Sequence, residues 1–210
     1  MEKLDFKTAD KAFYSGKTGR FDRLTLPPMR FLMVDGSGDP NLAPAYGHAV
    51  SALYGLSYGL KFAAKALGKD HTVGPLEGLW WADDMADFEK GRRDRWRWTM
   101  MIRQPEWITD AMLEAVRVKM LAKVAKDPKT ATTPDMVQAV RFEPLTEGDC
   151  LQVLHIGSYA DEAPVIARLH QEIAVNGLRP TGKHHEIYLN DPRKVSPEKL
   201  KTILRQSVGI

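Results

Sequence analysis

Glu186 is the residue of this 210-residue chain best suited to chemistry, an acid inside the apolar pattern His185-Glu-Ile-Tyr-Leu. Side chains alternate along a strand, so Glu186 and Tyr188 share one face and Ile187 and Leu189 the other. The apolar pair is expected to pack on helices, which turns Glu186 and Tyr188 toward a cleft. Rings that could line such a cleft recur along the chain: Trp80, then Trp96 and Trp98 alternating with Arg95 and Arg97, and Tyr54 and Tyr58 four apart on one helical ridge. A cleft of this make-up suits a flat aromatic ligand, with Glu186 as its acid. Desolvation in an apolar aromatic pocket raises a carboxyl pKa. That fits either attraction of a cation or general acid–base work near neutral pH. The competing reading makes the rings ordinary core and places Glu186 at a solvated strand end. A mid-strand acid between apolar neighbours is uncommon without a partner, which favours function for Glu186; for the rings the sequence does not separate the two readings.

The elements that must position these residues read as follows. Arg30 to Val34 is a strand closed by the turn signal Asp35-Gly-Ser-Gly-Asp-Pro. Ala45 to Leu67 is a helix with a core stripe of Leu53, Leu56, Leu60 and Leu67 beside the row Tyr46, Val50, Tyr54, Tyr58 and Phe62. Gly78 to Ala82 and Arg95 to Arg103 form a strand pair. Thr109 N-caps a second helix running to Ala125. A polar linker covers about 126–136. Val137 to Phe142 and Cys150 to Ile156 are strands joined through Glu147-Gly-Asp, Asp161 to Asn176 is a helix stopped by Gly177, and His185 to Leu189 and Thr202 to Arg205 are the last strands.

Two halves of this series match in order. Val34-Asp-Gly-Ser parallels His155-Ile-Gly-Ser, Leu79-Trp-Trp-Ala-Asp-Asp parallels Ile187-Tyr-Leu-Asn-Asp-Pro, and Met101-Ile-Arg-Gln-Pro parallels Ile203-Leu-Arg-Gln-Ser. The expectation is an α+β fold of two pseudo-symmetric β-α-β-β modules, about 29–125 and 137–210. They would form an antiparallel sheet with helices on one face and a central ligand cleft. In that alignment Trp80 takes the place of Tyr188, and Gly78 that of Glu186.

Other chemistries are weaker. His184 and His185 are adjacent on a strand and point to opposite faces, so they do not share a metal, and no cofactor fingerprint is present. Arg92-Arg-Asp-Arg-Trp-Arg-Trp mixes basic and aromatic residues, but as a strand it splits into a Trp face and a solvated Arg face. A net charge of +3 is far from a nucleic-acid-binding balance. The single cysteine, Cys150, has no evident base and is expected to be inert, and its solitude suggests a cytoplasmic protein. There is no secretory h-region and no apolar run long enough for a bilayer, so neither export nor membrane insertion is expected.

Five segments together carry a resemblance: Phe31-Leu-Met-Val-Asp-Gly-Ser-Gly-Asp-Pro-Asn, Tyr54-Gly-Leu-Ser-Tyr-Gly-Leu-Lys, Glu77-Gly-Leu-Trp-Trp, Trp98-Thr-Met-Met-Ile-Arg-Gln-Pro and His185-Glu-Ile-Tyr-Leu-Asn-Asp-Pro. The chain resembles the GyrI-like small-molecule-binding family in its stand-alone form, as a single domain over 1–210. One departure is Ser207, where proline is expected. The resemblance implies a central pocket for bulky, often cationic, aromatic compounds with a buried glutamate at its base, here Glu186. Relatives include effector domains of multidrug-sensing regulators, a gyrase-inhibiting protein, and hydrolases that open the cyclopropane ring of DNA-alkylating natural products. In the last, a glutamate and a tyrosine activate water beside tryptophans. Glu186 is the candidate base, and the tyrosine is Tyr54, Tyr58 or Tyr188, with Tyr58 taken first. The implied ligand-binding set is Tyr54, Tyr58, Trp80, Trp96, Trp98, Glu186 and Tyr188. No helix-turn-helix precedes the domain, so a DNA-binding regulator is not expected.

Overall fold

Capping residues and glycines set the element boundaries. Thr109 and Thr133 each accept the backbone N–H three residues on, from Met112 and Met136, and so start two helices. Pro44, Pro134 and Pro164 stand in the first turns of three helices, where a missing N–H costs nothing. Gly177, at φ +68°, ends another. The computed structural model describes residues 3–84, 91–127 and 130–210. Its helices are α1 (Phe6–Ala9), α2 (Pro44–Ala66), α3 (Asp110–Lys126), α4 (Pro134–Ala139) and α5 (Ala163–Val175). The strands are β1 (Asp22–Leu26), β2 (Met29–Ser37), β3 (Leu76–Trp81), β4 (Arg97–Arg103), β5 (Arg141–Leu145), β6 (Gly148–Ile156), β7 (Arg179–Tyr188) and β8 (Lys201–Gly209). This is an α+β fold whose eight strands form an open antiparallel sheet.

The chain divides into two compact units. The first comprises Met1–Asp5, Met29–Gly74 and Trp80–Leu145; the second comprises Phe6–Pro28, Pro75–Leu79 and Thr146–Ile210. In the first unit β2 pairs with both β4 and β5, and α2 packs against α3, α4 and β2. Leu53, Leu56 and Leu60 of α2 are fully buried as the stripe requires, whereas Leu67 lies past the helix end and is exposed. Gly36 belongs to β2 rather than to a turn. It stands opposite Trp98, and a Cβ there would come within 2.0 Å of the indole, so the missing side chain makes room for that ring.

The segment expected to be a linker and then a strand differs most. Thr133 nucleates α4 over residues read as unstructured, and Val137 is a buried helical residue. The strand begins only at Arg141, and it pairs with β2 instead of forming a hairpin with β6. Polar capping residues look like a loop when they are read by composition alone. The N-terminal stretch also holds an unexpected strand, β1, which pairs with β6.

In the second unit β6 pairs with β1 and β8, and β8 pairs with β7. Its core is Leu151, Val153, Leu204 and Val208 from the strands against Leu169 and Ile173 of α5, flanked by Phe21, Val165, Ile166 and Leu178. Among the described residues, no helix is long and apolar enough to cross a membrane.

Candidate functional site

Register decides which way Glu186 faces. Directly opposed residues of antiparallel strands share a face. Glu186 stands opposite Leu204 and Tyr188 opposite Thr202; in turn Leu204 stands opposite Val153 and Thr202 opposite His155. Leu204 and Val153 pack under α5. Glu186 and Tyr188 therefore lie on the face that α5 covers. The apolar residue Ile187 is on the other face, a reversal of the expected packing. The reason is the partner row: Leu204 and Val153, not Ile187, supply the apolar surface that α5 needs.

On that face Glu186 is nine-tenths buried. The Tyr188 hydroxyl donates to its Oε2 at 2.7 Å, and His184 Nε2 lies 3.6 Å from Oε1. Tyr188 in turn meets Tyr159 edge to face, with ring centroids 5.6 Å apart. A second acid joins them. Glu162 precedes the first turn of α5 and is only 4% exposed, and its Oε1 has no hydrogen-bond partner. Burial, and then the charge of Glu186, push the Glu162 carboxyl far above the ordinary carboxylate range; Thr202, near it but outside hydrogen-bonding geometry, pulls the other way. Two carboxyl groups in one desolvated place do not both ionise readily, so one proton is held there at neutral pH. Neither Glu162 nor Tyr159 was singled out in the sequence. The available signal was position: an acid just before an amphipathic helix normally caps it, but this one makes no capping bond.

The opposite face of β7 carries a different cluster, also missed. His185 is fully buried, with Nε2 2.9 Å from Glu77 Oε2 and Nδ1 2.9 Å from Glu147 Oε1. Tyr14 donates to Glu77, and Arg205 donates to Glu147, Gln152 and the Phe13 carbonyl. Burial lowers the His185 pKa, but the Glu147 and Glu77 carboxylates outweigh it and hold it up at about 9. Burial likewise opposes ionisation of Glu147, but His185 and Arg205 bring it down to about 2. Nearby Cys150 is buried, and its thiol is pushed up to about 12 by desolvation and by the Glu147 charge, so it is unreactive.

The remaining predicted residues lie in the first unit. Tyr46 packs on both Trp80 and Trp98, and Trp80 meets Trp96 at 5.9 Å. Trp98 is wholly buried and Trp80 nearly so, which makes them core of that unit. Tyr54 and Tyr58 stack on each other at 6.4 Å, and Tyr58 is 47% exposed. The structure thus brings Glu186 together with Tyr188, and Trp80 with Trp96 and Trp98. A hollow of about 810 Å³ in the first unit is lined by Asp35, Trp81, Asp94 and Arg97 among others, and by none of the predicted residues. Among the described residues, no group of three His, Cys, Asp or Glu is arranged to hold a metal.

Residues 21–205 match the GyrI-like small molecule binding domain. A solved structure of an uncharacterized conserved protein from Listeria innocua is 39% identical, covers 99% of this chain and 100% of its own, and superposes with a TM-score of 0.84. A second Listeria innocua protein, described as a hydrolase, is 38% identical with coverage of 99% and 100% and a TM-score of 0.81. The C-terminal domain of EcmrR shares the fold at 10% identity, over 90% of this chain and 97% of its own, with a TM-score of 0.54. No curated protein matches the chain.

Proposed function

The chain belongs to the GyrI-like small-molecule-binding family, and from that premise we propose that it takes up bulky aromatic, apolar or cationic compounds against Glu186. The observation that carries this reading is the environment of Glu186: a carboxylate nine-tenths buried, hydrogen-bonded by Tyr188, beside the Tyr159–Tyr188 ring pair and the orphaned Glu162 oxygen. Buried charge is costly unless compensated, so a cation with a flat apolar body gains both from the carboxylate and from the rings. Within the first unit, Trp96, Tyr54 and Tyr58 are proposed separately as an aromatic surface, with Trp80 and Trp98 in that unit's core. The test is titration of a fluorescent aromatic cation against wild type and Glu186→Gln. Saturable binding weakened at least about tenfold by the substitution supports the reading, since a charge-assisted contact is worth more than 1.4 kcal/mol. Binding indifferent to Glu186 overturns it.

A second reading is hydrolysis, favoured by the likeness over essentially the whole chain to the Listeria innocua protein described as a hydrolase. Here Glu186 acts as base on a water whose oxygen bonds to a carbon of a strained, activated cyclopropane. The ring C–C bond breaks, its electron pair passes to the conjugated acceptor, and that acceptor takes up a proton. Tyr188, already bonded to Glu186 at 2.7 Å, orients the base. Wild type should open the ring of a cyclopropane-bearing alkylator, and Glu186→Gln should not. Absence of turnover by wild type leaves binding alone.

A further inference from the structure

Glu162 is the buried group that the binding reading does not yet use. It reaches the site from an element different from that of Glu186, the segment entering α5. Its residue is 96% removed from solvent by position, being 4% exposed, yet Oε1 makes no hydrogen bond. Thr202 opposite Tyr188 is fully buried, and its hydroxyl is orphaned too. Buried orphaned polar atoms cost about 1–3 kcal/mol each and are rare unless something else satisfies them. Two of them, from the residue that precedes α5 and from β8, lie in the surroundings of the carboxylate that is proposed to meet a cation.

We infer that Glu162 is a second ligand-binding carboxyl, which gives up its proton when an aromatic cation enters, so that the site takes the positive charge in exchange for a proton. This rests on the proposed role of Glu186. Without ligand, the pair carries one proton and one negative charge. A cation lying against both oxygens restores favour to the second ionisation, because it replaces the like-charge repulsion with attraction. The burial and neighbouring charge that raise Glu162 set the direction of the exchange. The other groups on this face include His184 and Tyr188 from β7, His155 from β6, which contacts the Ser158 carbonyl at 3.0 Å, Arg168 from α5, which lines a hollow with His155 and Val153, and Tyr159 and the exposed Asp161 from the preceding turn. Asp161 accepts from Ser158 on that turn. Of these, His184 lies 3.6 Å from Glu186 Oε1, so its substitution serves as the control.

The chemistry selects monocations with an apolar aromatic body over uncharged compounds of the same shape, and does so more strongly as pH rises. The test uses pyrenylmethyl-trimethylammonium and its uncharged tert-butyl isostere, titrated by fluorescence from pH 5.5 to 8.5. Calorimetry in two buffers of different ionisation enthalpy counts protons. Wild type should release about one proton on binding the cation, its affinity rising up to about tenfold per pH unit, while the isostere binds without pH dependence. Glu162→Gln should bind the cation more weakly, with no proton released. His184→Gln should keep the slope. Cation binding by wild type without proton release overturns the inference, and this measurement needs no variant to fold. So does a Glu162→Gln protein that retains the slope. If Glu186→Gln weakens the cation while wild type releases no proton, the exchange alone falls. If Glu186→Gln leaves the cation unaffected, the reading of Glu186 falls as well.

Discussion

His185 and Glu186 are neighbours on β7, both buried, and they face opposite sides of the sheet. Their surroundings differ in one respect that matters. Each ring nitrogen of His185 has a carboxylate at 2.9 Å, and those carboxylates are held in turn by Tyr14 and Arg205. Across the sheet, Glu186 has Tyr188 and a more distant His184, while Glu162 beside it leaves an oxygen unmet. The first cluster alternates positive and negative charge and closes on itself. The second gathers two carboxyls that share a proton and leaves an oxygen unmet. Closed buried networks fix a structure, whereas buried acids with unmet oxygens mark candidate ligand sites.

The comparison breaks most visibly at its closed side. His185→Ala leaves Glu77 and Glu147 facing each other without a cation between them, and removing one member of a buried charge network costs about 3–5 kcal/mol. Denaturant unfolding at neutral pH should show that loss. A loss below 1 kcal/mol would mean that the cluster is no more structural than the one across the sheet.

The pH dependence has a sign at each end. His185 has a folded pKa raised to about 9, so its contribution is complete below its unfolded value of 6.5 and is lost as pH rises through about 9. Glu147 has a folded pKa lowered to about 2, so its contribution is complete above 4.5 and is lost as pH falls toward about 2. Wild-type stability should therefore decline between pH 6.5 and 9, by less than the deletion costs. His185→Gln should decline less steeply, keeping only the share due to Glu162, whose raised carboxyl also makes stability fall as pH rises. If both proteins decline alike, a different group is responsible.

Much of this fold was legible, because hydrophobic period and capping are local. The buried leucines of α2, the Thr109 cap and the Gly177 stop follow from spacing alone. Glu186 and Tyr188 sharing a face also follows from alternation. What α5 packs against does not, because it depends on the register between β7, β8 and β6, and register joins residues far apart in the chain. The same limit hid the His185 cluster. Adjacent histidines looked incapable of sharing a metal, which is sound, but the partners Glu77, Glu147 and Arg205 come from three other segments. Trp98 illustrates the converse: Arg97 and Trp98 alternate in β4 as expected, but Arg93–Arg95 form a 3-10 turn instead of strand, and the space for the Trp98 ring is set by Gly36 on another strand.

At the open side, neutralising one acid should barely disturb the fold. Near pH 7 Glu162 must take up a proton on folding, and Glu162→Gln removes that requirement while keeping size and one acceptor, so unfolding free energy there should shift toward greater stability. A loss of 3 kcal/mol would move Glu162 into the same class as His185.

Thr202→Val probes the open side with the smallest change. Valine keeps the branched shape and removes a buried hydroxyl that acts on the Glu162 carboxyl, so stability should shift by no more than about 0.5–1 kcal/mol. Its effect on the site should be sharper than its effect on the fold. The hydroxyl acts on Glu162 in the direction opposite to burial, so without it the carboxyl holds its proton more tightly. The pH at which an aromatic cation is captured half-maximally should then move upward, with the slope unchanged. The measurement is the same fluorescence titration, run on a protein whose unfolding curve confirms an intact fold. A midpoint that stays in place would disconnect Thr202 from Glu162, and the open cluster would then reduce to the two carboxyls and Tyr188.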